Sequence, residues 1–110
     1  MGKSERLGEL ELKVLWTLMR LRHEAYGMEI REVLSKRLGV RVSIGAVYAA
    51  LSRLKEKRYV SSRAGDPLPE RGGRARRYYR IEGAGERVAR EAWEAMTKTW
   101  RGLRPAEVKG

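Results

Sequence analysis

At 110 residues and 42% hydrophobic content, the chain is long enough for one folded domain and too apolar for a disordered basic tail. It has no cysteine, hence no disulfide scaffold or thiolate metal site. There is no run of about 18 apolar residues to span a membrane. The net charge of +11 is uneven. Residues 43–80 carry ten Lys/Arg against three Asp/Glu, net +7, while 1–42 and 81–110 carry only +3 and +1. Such a concentration in the middle third is the footprint of a polyanion partner.

The opening "MGKSERLGEL" lacks the apolar stretch of a secretory signal, and Arg6 breaks the myristoylation pattern, so a cytoplasmic protein is expected. The first predicted helix, "LGELELKVLWTLMRL", has two apolar stripes. Leu7, Leu10, Val14, Leu18 and Leu21 follow one face at helical spacing; Leu12, Trp16 and Met19 follow another. A surface helix needs only one, so the second requires its own cover. After a turn at "RHEAYG", "MEIREVLSKRL" predicts a second helix with Ile30, Val33, Leu34 and Leu38 inward, stopped by Gly39. Ser43 is a good N-cap for a third, "IGAVYAALSRLKEKR", whose inward stripe is Val47, Ala50, Leu51 and Leu54.

"YVSSRA" and "ARRYYRI" read as two strands around the loop "GDPLPERGGR", a β-hairpin with a long basic tip. A period of two puts Tyr79 and Ile81 on one side of the second strand and Arg76, Tyr78 and Arg80 on the other. "GERVAREAWEAMTKTW" is helical again, with Ala89, Ala92, Trp93, Met96 and Trp100 to one side, and residues 103–110 are expected to fray. Three helices followed by a hairpin form the winged helix-turn-helix arrangement: mainly α with a small β-hairpin, domain 1–82, then a C-terminal helix over 83–102. In that arrangement the third helix enters a groove of DNA and the hairpin tip reaches the adjacent backbone.

Candidate contacts follow from this layout. "RGGRARRYYR" holds five arginines in ten residues, and Arg74, Arg76 and Arg77 are placed to meet phosphate with a planar fork of donors. Small Ser43, Gly45 and Ala46 open the third helix and permit close approach. Tyr48 offers a hydroxyl to phosphate, and Ser52 and Arg53 extend toward bases or backbone. Tyr26 and Gly27 begin the second helix, where backbone N–H groups suit phosphate. Nothing points to catalysis: His23 is the only histidine, and no acid–base pair or metal cluster accompanies it. "GAGERV" follows a strand and opens a helix, but Val88 stands where a dinucleotide fold needs Gly or Ala, and no βαβ unit can close. No cofactor is expected. The rival reading is a winged-helix adaptor for structured RNA or a protein partner.

Three segments resemble the PadR-type transcriptional regulators, over residues 7 to 100. The family's "YG-x-E-I" stands here as Tyr26, Gly27, Met28, Glu29 and Ile30. Its recognition segment stands as "SIGAVYAALSRL", keeping Ser43, Gly45, Tyr48, Leu51, Arg53 and Leu54, and its wing signature as "GRARRYYRIE". Ala49 replaces the family's proline after the recognition tyrosine, and Glu82 replaces the threonine that caps the last helix. The resemblance implies a sequence-specific regulator, a repressor by family habit, on an inverted-repeat operator in double-stranded DNA. With one short C-terminal helix it resembles the short branch. Leu12, Trp16, Met19, Trp93, Met96 and Trp100, more apolar surface than a three-helix core hides, are expected in a homodimer interface. Short-branch relatives hold aromatic molecules in a pore there, which makes Trp93 and Met96 the candidate lining of a pocket for a small aromatic effector.

Overall fold

The first helix, α1 (Glu9–Arg20), starts with acids in its first turn and ends on Arg20, matching the helix dipole at both ends. Glu9 and Lys13, one turn apart, form an ion pair at 3.0 Å. The computed structural model describes residues 7–39, 41–67 and 75–101. The elements after α1 are β1 (Glu24–Tyr26), α2 (Gly27–Leu38), α3 (Ile44–Glu56), β2 (Val60–Pro67), β3 (Ala75–Ile81) and α4 (Gly83–Trp100). The strands form one antiparallel sheet in the order β1-β3-β2.

Helix α1 is the hub, packing on α2, α3 and α4. Its Val14, Leu15 and Leu18 are fully buried with Ile30 of α2 and Val47, Leu51 and Leu54 of α3. This resolves the two stripes: α4 folds back over the second one. Trp16 donates its indole N–H to the Ala89 carbonyl at 3.0 Å and meets Trp93 edge-on, centroids 5.2 Å apart. Met19 also packs against the core. In α2, Ile30 and Leu34 are buried as expected, but Leu38 is exposed, because it lies in the last turn beside the left-handed cap Gly39 (φ 70°). Ser43 caps α3 by accepting the Ala46 N–H at 3.0 Å, and the inward stripe of α3 is as expected.

The expected turn at 22–27 contains a strand. Arg22 and His23 reverse the chain in left-handed geometry (φ 63° and 74°), and β1 then pairs Glu24, Ala25 and Tyr26 with Arg80, Tyr79 and Tyr78. Three residues are too few to show a period of two; the pairing comes from β3, more than fifty residues away. In β3, Tyr79 and Ile81 face the core as expected. Glu82, at the N-cap of α4, makes no side-chain cap; its carboxylate accepts the Ser61 hydroxyl.

Gly85 fixes how α4 leaves the sheet. A Cβ there would stand 2.3 Å from the Tyr59 carbonyl oxygen, which already accepts the Glu82 N–H. Helix propensity alone would make Gly85→Ala stabilising by about 1 kcal/mol. Backbone cannot yield as a side-chain tip can, so the collision wins: Gly85→Ala is expected to cost about 1–3 kcal/mol and to lower the thermal midpoint followed by circular dichroism.

Candidate nucleic-acid interface

The outer face of α3 carries Ser43, Gly45, Tyr48, Ala49, Ser52 and Arg53, all exposed, with Ala46 half-buried beside them. Gly45 lies in regular helix, and among the described residues a Cβ built on it meets nothing within 4 Å. Glycine inside a helix costs about 1 kcal/mol relative to alanine. The position makes sense where another molecule's surface comes close to the backbone.

Tyr48 is wedged across the start of α2. A Cβ on Gly27 would fall 2.5 Å from its ring, so Gly27 is the seat on which the tyrosine lies. Its ring also tilts against Tyr79, centroids 6.3 Å apart. Burial raises the Tyr79 phenol above its ordinary pKa, and Tyr48 adds to this, so Tyr79 stays a neutral hydroxyl. The Tyr26 N–H points to the Glu29 carboxylate at 3.4 Å, and the Tyr26 ring stands edge-on to Tyr78. Thus Tyr26 and Gly27 are engaged with their own chain.

Arg53 extends from α3 to α1. Its Nε donates to Glu11 at 2.6 Å, and Lys57 donates to the other oxygen of the same carboxylate at 2.7 Å. Only 6% of the Glu11 side chain is exposed. Burial pushes its carboxyl pKa up, but the hydrogen bonds from Lys57, Arg53 and the Gly8 N–H outweigh that and hold it below the usual carboxylate range. Neither motif nor composition singles out Glu11, yet the sequence carries a signal: an acid flanked by leucines on an apolar helix needs an internal cation.

Arg74 lies outside the described residues. Arg76 and Arg77 occupy opposite faces of the hairpin. The Arg76 guanidinium stacks over the Tyr26 ring at 4.2 Å, with its Nε buried and without a hydrogen-bond acceptor. Arg77 is exposed on the face toward α3 and donates to Ser62 at 3.1 Å. On the Arg76 side, Arg63 lies over Tyr78 at 4.8 Å and grips Glu24 with two hydrogen bonds, which lower the Glu24 pKa.

The six apolar candidates divide. Leu12, Trp16 and Met19 are half-buried in their own chain. Trp93, Met96 and Trp100 stay 51%, 39% and 64% exposed along one side of α4. An open cleft of about 460 Å³ lies between α1 and α4, lined by Trp16, Met19, Trp93 and Glu94 with Arg20, Arg37 and Arg90. Met96 is outside that lining. Among the described residues no group of three metal-ligating side chains gathers, and no helix is long and apolar enough to cross a membrane.

A helical core presenting α3 outward beside a β-hairpin defines the winged-helix DNA-binding proteins. The F93 protein of STIV, a winged-helix DNA-binding protein, has the same fold at 16% identity, with TM-score 0.66 over 86% of this chain and 95% of its own. Residues 14–91 match the transcriptional regulator PadR-like family, and the chain belongs to that family. It is similar to a PadR family transcriptional regulator from Eggerthella lenta DSM 2243 (27% identity, TM-score 0.63, 89% of each chain). It is likewise similar to a PadR-like transcriptional regulator from Bacillus cereus strain ATCC 14579 (26%, TM-score 0.68, 89% of this chain and 93% of that one). No curated protein matches. The chain is therefore a DNA-binding transcriptional regulator and not an enzyme.

Proposed function

We propose that this regulator is a cytoplasmic homodimeric repressor that binds an inverted-repeat operator and answers to a small aromatic ligand. The observation that carries the DNA-binding part is Gly45, an exposed glycine inside a helix that no packing among the described residues requires, on the face shared with Ser43, Ala46, Tyr48, Ala49, Ser52 and Arg53. The two α3 helices of a dimer enter successive major grooves, roughly 34 Å apart. The hairpins, with Arg74, Arg76 and Arg77, grip the flanking backbone. Tyr26 and Gly27 serve by holding Arg76 and Tyr48 in place.

Dimerisation is supported by the bare stripe of Trp93, Met96 and Trp100 on α4, whose main helical packing partner is α1. The stripe and the recognition face therefore do not compete for the same surface. The effector is supported by the cleft lined by Trp16 and Trp93, which gives it an aromatic lining.

Selection of bound duplexes from a random pool tests the reading. One inverted-repeat site should emerge, preferred over bulk DNA by about a thousandfold or more. Equal binding to all duplexes, or preference for a structured RNA competitor, would favour the adaptor instead. Quenching of tryptophan fluorescence by aromatic compounds, coupled to release of the selected site, tests the effector.

A further inference from the structure

The corner between α3 and the hairpin holds two cations that, among the described residues, have no counter-ion. Tyr48, Ser52 and Lys55 stand at i, i+4 and i+7, one exposed line along α3. Facing that line are Ser62, paired with Tyr79 across the ladder, and Arg77, two residues along β3 on the same side. The Ser62 hydroxyl accepts from Lys55 Nζ at 3.0 Å and from Arg77 Nη1 at 3.1 Å.

Two like charges are thus gathered on one neutral oxygen. Among the described residues neither lies within ion-pair distance of a carboxylate, although Lys13, Arg53, Lys57 and Arg63 all do. Such a pair is repulsive in the free protein and becomes favourable when an anion sits across both. Ser62 has both lone pairs engaged and its O–H left to donate outward. Three donors of the phosphate-binding kind, from Lys55, Ser62 and Arg77, therefore meet at one corner, with Ser52 exposed one turn back along α3.

We propose that Lys55, Ser62 and Arg77 form a clamp for a single backbone phosphate of duplex DNA, on the strand that passes from the groove holding α3 to the groove reached by the hairpin. The inference rests on the DNA-binding reading and adds to it two residues, Lys55 and Ser62, and a shared ligand. The clamp ties the angle of the hairpin to the position of α3, because one phosphate is held from both elements.

Ser62→Asp tests it by supplying an internal carboxylate where the phosphate would sit. The variant should melt at a higher temperature than the parent, since it neutralises a repulsive pair. It should also bind a labelled mixed-sequence duplex about tenfold or more weakly, with a salt slope shallower by about 0.9, the share of one phosphate. Lys55→Ala and Arg77→Ala should each lose the same slope, and Lys55→Ala should remove little more in the Ser62→Asp background. Ser62→Asn, polar but uncharged, should weaken binding less than Ser62→Asp and keep the parental salt slope, because both cations remain free to meet the phosphate. Parental affinity and slope in Ser62→Asp, or an equal loss in Ser62→Asn, overturn the clamp while leaving DNA binding intact. If Ser62→Asp fails to fold, an unchanged slope in Lys55→Ala and Arg77→Ala does so. A parent chain that shows no salt-dependent duplex binding overturns both readings.

Discussion

Glu11→Ala is expected to cost about 2–4 kcal/mol of folding free energy and to loosen α3 before the rest of the domain. Removing one member of a buried ion pair typically costs about 3–5 kcal/mol, because the charge left behind has lost its partner. Here the figure is reduced because Arg53 is half exposed and can return to water, whereas Lys57 is largely covered. Urea unfolding followed by circular dichroism measures the loss. Hydrogen exchange at α3 should rise more than at α2, since the side-chain bonds of Glu11 run to Arg53 in α3 and Lys57 at its end.

The same carboxylate gives a pH signature with a definite sign. Its folded pKa lies below the unfolded one, so ionised Glu11 contributes its full stabilisation above the ordinary glutamate value of about 4.3. That contribution drains away as the pH falls from there through the lowered folded value. Glu11→Gln should flatten this acid limb of the stability curve. If parent and Glu11→Gln lose stability in parallel below that pH, Glu11 is not the group responsible.

Arg53 shows why the site was only partly legible in the sequence. Helical spacing puts it correctly on the outer face of α3, and family motifs single it out, but neither says that its Nε is already taken by α1, 42 residues earlier. Local periodicity captured what is decided locally: the inward stripe of α3, the alternation of Tyr79 and Ile81 against Arg80, and the Ser43 cap. What it missed was decided at a distance. β1 exists because β3 offers a ladder edge, Trp16 is half covered because Ala89 offers a carbonyl 73 residues away, and Lys55 meets Arg77 only through Ser62. Gly27 stands in a family motif, but no local pattern places the Tyr48 ring against it.

Paired substitutions on α4, Met96→Glu with Trp100→Glu, are expected to yield folded monomers and to weaken binding to a two-half-site operator about a hundredfold or more. Trp16 is the wrong residue for this purpose despite lying on the stripe first expected at the interface. Its indole bonds to Ala89 and packs on Trp93 within one chain, so changing it would unseat α4 and confuse misfolding with dissociation. Met96 and Trp100 lack that role: both are exposed, and a carboxylate there meets water in the monomer but the partner's apolar surface in a twofold dimer. Light scattering reports the mass. The size of the binding loss follows from tethering, since the second half-site is captured from an effective concentration near millimolar in the dimer and from bulk solution in the monomer. Affinity for a single half-site duplex should stay nearly unchanged, because α4 packs on α1 and the α3 face is untouched. A scattering mass unaltered by both charges would place the dimer contact elsewhere. A dissociated chain that still held the full operator as tightly as before would mean that one winged helix suffices.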